Sequence, residues 1–403
     1  MTPARVAITG VGVICSSGRN QREFWANAVE GRRGIGKLSL FDPSGCLSDI
    51  AAQAEVDLVA DRRDSRTDRL HMQAADEAVA QAGLGGGDGG GGTLSSFGIS
   101  LGNSTAGMLE SESWVREGLA GAFDRLSPAA VLRLPTSAPA DAVARRFGLT
   151  GPRLSNMTAC ASSALSIGFA ADLIRGGEAH GMIAGGGDGL CLMTYAGFNA
   201  LRLIDAEPCR PFDASRQGLS LGEGAGILVM EDWDRAVARG ARPIAEFLDY
   251  GSSCDANHMT APHPEGRGAA AAMNQALERS GLRPSDIGHI NAHGTGTPMN
   301  DAAEAKAIVS VFGAEGAARL PLTSTKAIVG HLLGGSGGLE AVTLILSLAR
   351  QMVPPTPGFT AGDDGVALDV VSPRARQVSF THGLSNSFGF GGTNCSLVFK
   401  RCA

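Results

Sequence analysis

Segments with the pattern of a buried strand alternate with segments of helical pattern along most of this 403-residue chain. Apolar, β-branched and glycine-containing runs predict strands at residues 5–14, 97–101, 153–157, 181–187, 225–231, 244–251, 288–292, 321–325, 377–381 and 394–400. Helices are predicted at residues 21–30, 72–82, 139–147, 268–280, 301–312 and 337–350, and one more from Cys160 to Gly176-Gly177. This alternation is typical of an α/β fold with buried sheets.

The remaining segments are predicted to connect these elements. Residues 45–70 are polar and expected mostly at the surface, residues 83–92 form a glycine tract expected to be a mobile surface loop, and residues 234–239 are a short connection. A break near residues 240–245 divides the chain into an N-terminal half, 1–243, and a C-terminal half, 244–403. No convincing sequence repeat relates the halves, so any duplication has to be structural.

Charge and cysteine usage exclude several classes of protein. The net charge of −6 and the pI of about 5.8 argue against a nucleic-acid binder, which usually has a basic face. No uninterrupted apolar run approaches the roughly 18 residues of a membrane span. The eight cysteines are scattered without a CxxC pair, so neither a zinc site nor a redox pair is predicted. We expect a protein of the cytoplasm with reduced thiols.

Cys160 is a candidate nucleophile. It follows a predicted strand and opens a predicted helix, and a helix N-terminus lowers the pKa of a thiol. Its small neighbours, among them Ala161 and Ser162, leave room for an acyl chain. The alternative is a buried structural cysteine that packs as a small hydrophobe.

Two histidines lie in glycine-rich surroundings in the second half. His293 belongs to residues 291–297, Asn-Ala-His-Gly-Thr-Gly-Thr, and a neutral imidazole there can donate a hydrogen bond to a developing enolate. His331 follows Lys326, whose charge can shift nearby pKa values and can pair with Glu340. The alternatives are a turn histidine that caps a helix and a surface ion pair beside a helix start.

A glycine-rich turn, residues 389–392, reads Gly-Phe-Gly-Gly. Its backbone N–H groups can form an oxyanion hole together with the amide of Cys160. Most such turns are simply turns, so this motif is weak by itself. In combination with one cysteine and two histidines in this order, it predicts a site for acyl transfer through a thiol.

These motifs resemble those of the elongating β-ketoacyl-acyl carrier protein synthases, condensing enzymes of the thiolase superfamily. The resemblance runs nearly from end to end and rests on residues 158–160, 291–297, 324–334 and 386–394. It implies a thiolase-like five-layered αβαβα fold made of two similar halves. It also implies an acyltransferase that performs a decarboxylative Claisen condensation in fatty-acid chain elongation, acting as a homodimer on acyl carrier protein.

The resemblance assigns roles to individual residues. Cys160 would hold the acyl group as a thioester, and His293 and His331 would promote decarboxylation of malonyl carrier protein. Lys326 and Glu340 would support the two histidines. Phe390 would supply an amide of the oxyanion hole, and its side chain would act as a gate. Contacts to the phosphopantetheine arm would come from Thr295 and Thr297, and contacts to the substrate from Phe388, Thr105 and Phe198. Our candidates for lining the acyl pocket are Thr105, Ala161, Ser162 and Phe198. No metal and no cofactor is implied, because the phosphopantetheine arm arrives on the carrier protein.

Two comparisons narrow the type of enzyme. Priming synthases of the family carry Cys-His-Asn, so His331 favours elongation, and the presence of Cys160 argues against a chain-length factor. Residues 216–218 read Arg-Gln-Gly where the family usually has Arg-Asp-Gly, and the segment 203–210 is short. The connection 207–212 resembles ketosynthases of specialised type II polyketide or aryl-polyene pathways, which pair with a chain-length factor. That function is the alternative, and a non-catalytic subunit that binds carrier protein is disfavoured by the intact Cys-His-His set.

A basic patch is expected where the acidic carrier protein docks. Arg62, Arg63 and Arg66 align with the docking region of the family, and Arg210 is expected to join them. The alternative is that these arginines are merely solvated, as surface arginines usually are.

Overall fold

A computed structural model of the chain describes residues 4–56, 64–85, 94–122 and 128–402. Its strands are β1 (Val6–Cys15), β2 (Gly36–Lys37), β3 (Ile50–Ala51), β4 (Gly98–Gly102), β5 (Arg153–Asn156), β6 (Gly181–Asp188), β7 (Gly224–Asp232), β8 (Ala245–Cys254), β9 (Ile287–Asn291), β10 (Leu322–Thr323), β11 (Met352–Val353), β12 (Arg376–Gln377), β13 (His382–Phe388) and β14 (Thr393–Arg401). Its helices are α1 (Gln21–Val29), α2 (Arg66–Gln81), α3 (Met108–Glu117), α4 (Ala138–Phe147), α5 (Ser162–Arg175), α6 (Leu192–Ala200), α7 (Trp233–Ala238), α8 (Arg267–Arg279), α9 (Pro298–Ala317), α10 (Lys326–Val329) and α11 (Ser336–Arg350).

Ten strands form one mixed sheet in the order β10-β9-β13-β14-β8-β1-β7-β6-β4-β5. Counted within each half, the five strands run 1-5-4-2-3 from the centre outward, and the order is the same in both halves. The pairings match as well, since the two inner pairs of each half are antiparallel and the two outer pairs are parallel. The halves join where β1 pairs with β8. The duplication is therefore structural, in a chain without a sequence repeat.

Helices lie in three layers around the two halves of this sheet. Helices α5 and α11 contact each other and contact strands of both halves, so they form the central layer. Helices α2 and α4 pack on strands of the first half, whereas α8 packs on β8 and β14 of the second half and contacts α9. The largest apolar core surrounds the central layer and includes Ile167 of α5 and Ile345 of α11. The predicted α/β class is confirmed, and its five layers are αβαβα.

The prediction that residues 45–70 are mostly surface is wrong. Helix α2 begins at Arg66, and Ser65, Thr67 and Leu70 are buried. Ser65 and Asp68 form a capping box, in which each side chain accepts from the backbone N–H of the other residue. The sequence carries this signal as a serine followed three residues later by an acid. Most of the glycine tract at 83–92 lies outside the described residues.

Other elements differ from the predictions at their ends. Residues 234–238 belong to helix α7 instead of a plain connection, and Arg239 caps its C-terminus. The predicted strand at 377–381 is mostly irregular, since β13 begins only at His382. Helix α9 starts three residues before the predicted 301 and is interrupted at Gly313, whose φ of 72° lies outside the helical range. Helices α3 and α6 were not predicted. In the described residues, no helix is long and apolar enough to cross a membrane.

Candidate active site

Cys160 lies in the tight turn between β5 and α5. Ala159 before it has a φ of +48°, a left-handed conformation that is unusual for a residue with a Cβ. Ser162 fixes this turn, because its hydroxyl donates to the carbonyl of Ala159 at 2.6 Å and accepts from the N–H of Thr158 at 2.8 Å. The helix begins at Ser162, so Cys160 precedes it by two residues instead of opening it.

The pKa of the Cys160 thiol is raised to about 11, because burial disfavours the thiolate. The charge of Lys326 and a hydrogen bond from the backbone N–H of Phe390 both act in the opposite direction. The expectation that the helix N-terminus leaves this thiol with a lowered pKa is wrong, since the side chain is only 6% exposed. The thiol is therefore neutral at pH 7.

His331 is held in one tautomer. Its Nδ1 accepts from the backbone N–H of Leu333 at 3.0 Å, and the hydroxyl of Ser336 lies 3.0 Å from the same nitrogen. A backbone N–H can only donate, so Nδ1 is an acceptor and the proton of the neutral ring sits on Nε2. Burial and the charge of Lys326 lower the pKa of His331 well below its ordinary value. The ring is thus a neutral Nε2–H donor.

His293 is held in the same state by Lys326. The Nζ of Lys326 lies 3.2 Å from His293 Nδ1 and donates to the carbonyl of His293 at 2.7 Å. The ammonium group has donors only, so Nδ1 of His293 accepts and Nε2 carries the proton. Burial, Lys326 and His331 lower the pKa of His293 well below its ordinary value. Lys326 also forms the predicted ion pair with Glu340, and both side chains are 2% exposed.

Cys160, His293 and His331 converge. The sulfur and one nitrogen of each ring lie within 4.8 Å of one another, and the two rings are 5.4 Å apart at an angle of 84°. This spacing alone would suit a metal ion, but a histidine ligand needs an unprotonated nitrogen facing the metal and usually donates from its other nitrogen. Here the outer nitrogens accept and the inner ones carry protons. The cluster is built to donate hydrogen bonds.

Two buried acids that the sequence analysis missed hold the loop of His293. Glu304 accepts from the N–H groups of His293 and Gly294, both at 2.8 Å. Asp301 accepts from the N–H groups of Thr295 at 2.9 Å and Phe212 at 2.7 Å. Burial raises the pKa of Glu304 to about 7. Acids in the first turns of a helix that follows a glycine-rich loop are the signal that could have identified them.

A pocket of about 580 Å³ opens onto the cysteine and both histidines. Five residues that the sequence analysis named line it: Thr295, Thr297, Phe388, Phe198 and Phe390. The rings of Phe198 and Phe390 stack with their centroids 5.5 Å apart, and both line the pocket together with Cys160. The hydroxyls of Thr295 and Thr297 are 2.8 Å apart.

Three of the proposed pocket residues do not line this pocket. Ala161 and Ser162 are fully buried at the start of α5. Thr105 instead donates its hydroxyl to Asp188 at 2.7 Å. Ala161 and Ser162 were proposed for their small size and their position beside Cys160 in the sequence, but the start of α5 buries both completely.

The turn at Phe390–Gly392 approaches Cys160 through a glycine. A Cβ on Gly389 would lie 3.1 Å from the backbone nitrogen of Cys160 and 3.2 Å from the carbonyl oxygen of Thr158. A side chain at this position would force the neighbouring backbone to move by a few tenths of an ångström. It brings the N–H of Phe390 to the sulfur of Cys160.

Of the four predicted docking arginines, the structure describes Arg66 and Arg210, and both are paired with acids. Arg62 and Arg63 lie outside the described residues. Arg66 is only 11% exposed and pairs with the buried Glu223 through both Nε and Nη2, so it serves the interior instead of a partner. Arg210 is 26% exposed and pairs with Asp205 at 3.0 Å.

Comparison with known proteins agrees with this geometry. Residues 4–236 match the model of the Beta-ketoacyl synthase N-terminal domain, and residues 244–360 match that of the Beta-ketoacyl synthase C-terminal domain. The chain is 38% identical over 410 residues to 3-oxoacyl-[acyl-carrier-protein] synthase 2 of Staphylococcus aureus strain N315, which covers 98% of both chains.

Solved structures extend the likeness to the whole fold. The ishigamide ketosynthase/chain length factor superposes with a TM-score of 0.92 at 33% identity, covering 100% of both chains. A type II polyketide ketosynthase bound to a hexaketide and in complex with its acyl carrier protein gives a TM-score of 0.91 at 28% identity, again covering 100% of both. The chain belongs to the β-ketoacyl synthase family.

Proposed function

We propose that the chain is a 3-oxoacyl-[acyl-carrier-protein] synthase that catalyses decarboxylative Claisen condensation in fatty-acid elongation. One observation carries this proposal: a buried cysteine faces two neutral imidazoles whose Nε2–H groups are fixed by Lys326 and by the Leu333 amide. Two donors aimed at one point suit an oxygen that becomes negative during the reaction. The names of the full-length relatives support the same reaction.

The first step transfers an acyl group to Cys160. The sulfur attacks the thioester carbonyl of an acyl carrier protein, and the amides of Phe390 and Cys160 stabilise the oxyanion of the tetrahedral intermediate. The intermediate expels the phosphopantetheine thiol of the carrier, which leaves with the proton that the Cys160 thiol gives up.

The second step forms the carbon–carbon bond. Malonyl carrier protein loses carbon dioxide, and the enolate oxygen that results accepts hydrogen bonds from Nε2–H of His293 and His331. The enolate carbon attacks the thioester on Cys160 and releases the thiolate, which takes up a proton. The product is a 3-oxoacyl carrier protein that is two carbons longer.

The test is the intact mass of the protein after incubation with acyl carrier proteins of several chain lengths. We expect one acyl adduct, absent in Cys160→Ala, that malonyl carrier protein discharges as a 3-oxoacyl product. The Cys160→Ala variant should still decarboxylate malonyl carrier protein, because it keeps both histidines. Condensation by Cys160→Ala, or the lack of an adduct from every donor, would contradict the proposal.

A second candidate is a ketosynthase of a specialised type II polyketide or aryl-polyene pathway. Structures of such proteins favour it, since the ishigamide ketosynthase/chain length factor and a ketosynthase in complex with its chain length factor both superpose over nearly the whole chain. The discriminating experiment is co-purification of the tagged protein from its own cells. A stoichiometric homologue that lacks the cysteine would establish this function, whereas a homodimer loading saturated chains would support fatty-acid elongation.

The partner that we propose is an acyl carrier protein, as in the complex of the type II polyketide ketosynthase. It supplies the phosphopantetheine arm, so we propose no resident cofactor. We further propose a cytoplasmic location, which the eight free cysteines support, because disulfides are rare in that compartment.

The carrier protein is proposed to dock at the mouth of the pocket. Arg202 is exposed there beside Leu203, which lines the pocket, and Met259 and Met299 are 78% and 54% exposed close to it. Arg202→Glu should raise KM for carrier-bound malonyl and leave turnover of a small malonyl thioester unchanged. The matched control is Arg242→Glu. Arg242 is also exposed, but it precedes β8, whereas the pocket mouth lies beyond the C-terminal end of that strand. An equal KM in both variants would refute this docking site.

A further inference from the structure

Asp188 is a fully buried carboxylate at the end of β6 that the proposed mechanism does not use. It is 1% exposed and accepts hydrogen bonds from three backbone N–H groups and one hydroxyl. Ser104 donates its N–H at 2.9 Å, Thr105 donates both its N–H and its hydroxyl at 2.7 Å, and Gly334 donates its N–H at 2.7 Å. These contacts tie together three segments that are far apart in the sequence.

One of these segments carries His331. Gly334 directly follows Leu333, whose N–H holds Nδ1 of His331 at 3.0 Å. Leu333 has a φ of +49°, a conformation that a leucine adopts only where its surroundings impose it. Gly334, the residue after Leu333, is anchored to the end of β6 by its hydrogen bond to Asp188.

The other segment is the turn after β4. Ser104 and Thr105 present their N–H groups to the same carboxylate. A Cβ on Gly334 would lie 2.7 Å from the hydroxyl oxygen of Ser104, so the two turns are in direct contact. Asp188 therefore fixes the position of the His331 loop relative to the end of β4.

An ionised carboxylate is the side chain that fits this arrangement. It offers two oxygens and no proton, whereas an amide would turn its NH₂ group toward one of the surrounding N–H donors. Burial raises the pKa of Asp188 to about 6, and the hydrogen bonds from Ser104, Thr105 and Gly334 oppose that rise. Four donors around one buried carboxylate thus offset part of the cost of its loss of water.

We propose that Asp188 is a positioning residue for His331. By anchoring Gly334 it fixes the Leu333 amide, and through that amide it keeps the proton of His331 on Nε2, where it faces the pocket. Only the activity measurement rests on the proposed function. The tautomer of His331 can be observed directly and does not depend on that function.

The experiment compares Asp188→Asn with Glu231→Gln. Glu231 is also a buried carboxylate and lies at the opposite end of the β6–β7 pair, seven residue pairs away. We expect ¹⁵N spectra of the imidazoles to show a pure Nε2–H form of His331 in the unaltered protein and in Glu231→Gln. Asp188→Asn should show a mixture of tautomers.

Activity should follow the same pattern. Decarboxylation of malonyl carrier protein should fall about tenfold or more in Asp188→Asn. Alkylation of Cys160 by iodoacetamide should not slow, because the charge of Asp188 raises the pKa of that thiol and its removal acts in the opposite direction. Thr105→Val removes one donor to Asp188 and should show a smaller loss in the same direction, which keeps the proposal testable if Asp188→Asn does not fold.

A pure Nε2–H form of His331 in folded Asp188→Asn would overturn the proposal. An equal loss of decarboxylation in Glu231→Gln would do the same, because it would reveal a general effect of removing a buried carboxylate. If the unaltered protein does not decarboxylate malonyl carrier protein, the proposed function fails, and the tautomer of His331 still decides the role of Asp188.

Discussion

At the scale of single residues, Lys326 interacts with the ionisable groups of the site. Its ammonium group is buried, pairs with Glu340 and contacts Nδ1 of His293. The same charge lowers the pKa of both histidines and opposes the rise in the pKa of Cys160. Together with burial, this one side chain keeps both imidazoles neutral, and it lowers the free-energy cost of ionising the Cys160 thiol. Removing one partner of a buried pair is far more harmful than removing both.

Lys326→Met should destabilise the protein by about 3–5 kcal/mol, because it leaves Glu340 buried without its partner. The double variant Lys326→Met/Glu340→Gln should regain most of that stability and remain inactive in decarboxylation. Burial raises the pKa of Glu340, so in Lys326→Met this group takes up a proton in the folded state more readily than in the unfolded chain. The loss should therefore be smaller at pH 5 than at pH 8. Urea unfolding at both pH values measures this, and a single variant as stable as the double would contradict it.

The reactivity of Cys160 should rise steeply with pH. Its pKa is raised to about 11, and the thiolate is the form that reacts, so alkylation by iodoacetamide should accelerate by about tenfold per pH unit from 7 to 10. Peptide mass spectrometry resolves Cys160 from the exposed Cys254, which serves as an internal reference for the reagent. A rate that is already constant above pH 7 would show that the thiolate is stabilised in the resting protein.

At the scale of elements, the turn at Phe390–Gly392 must sit against the start of α5. Gly389→Ala should slow acyl loading of Cys160 by about 10- to 100-fold, because its Cβ would push the Phe390 amide away from the sulfur. The backbone itself tolerates alanine, since φ of Gly389 is −121°.

Gly197→Ala is the matched control for that variant. Gly197 lies in α6 next to the stacked ring of Phe198, and a Cβ there would meet no atom within 4 Å. Alanine is also the better helix former by about 1 kcal/mol. Acyl loading should stay unchanged in Gly197→Ala, and the explanation for Gly389 would be wrong if both variants loaded at the same rate.

Elements with strong periodicity were predictable from sequence, whereas those defined by remote partners were not. The strand at β6 and the helix at α11 match the predicted ranges within one residue. Helix α2 was placed too late although the capping box of Ser65 and Asp68 is a local signal of its start, whereas the pair of Arg66 with Glu223, 157 positions away, has no local signal. The role of Asp188 depends on loops brought together by the sheet, which no local pattern records, whereas Glu304 has the local signal of an acid early in a helix.

At the scale of the whole molecule, the site lies between the two halves. The first half supplies Cys160 at the start of α5, and the second half supplies both histidines and Phe390. Helices α5 and α11 pack against each other in the central layer, and α11 carries Glu340 and follows the loop of His331. Because both halves of the sheet have the strand order 1-5-4-2-3, equivalent ends of the two halves lie around one pocket.

The outer edge of the first half indicates how two chains pair. Among the described residues, β5 is the terminal strand of the sheet and no strand pairs with its outer side, so this edge can pair with another chain. Exposed apolar residues lie on the two segments that contact α3, with Leu119 79% and Leu132 74% exposed. Large exposed apolar patches mark interfaces.

We therefore expect a dimer with twice the chain mass of 41.1 kDa in light scattering. Leu119→Glu/Leu132→Glu should run as a monomer, because each interface of a symmetric dimer would gain two pairs of buried charges. Leu201→Glu, at an exposed leucine near the pocket mouth, should remain dimeric. A double variant that stays dimeric would place the interface elsewhere. A monomeric unaltered chain that dimerises only with a homologue lacking the cysteine would identify the heterodimer of a ketosynthase and a chain-length factor.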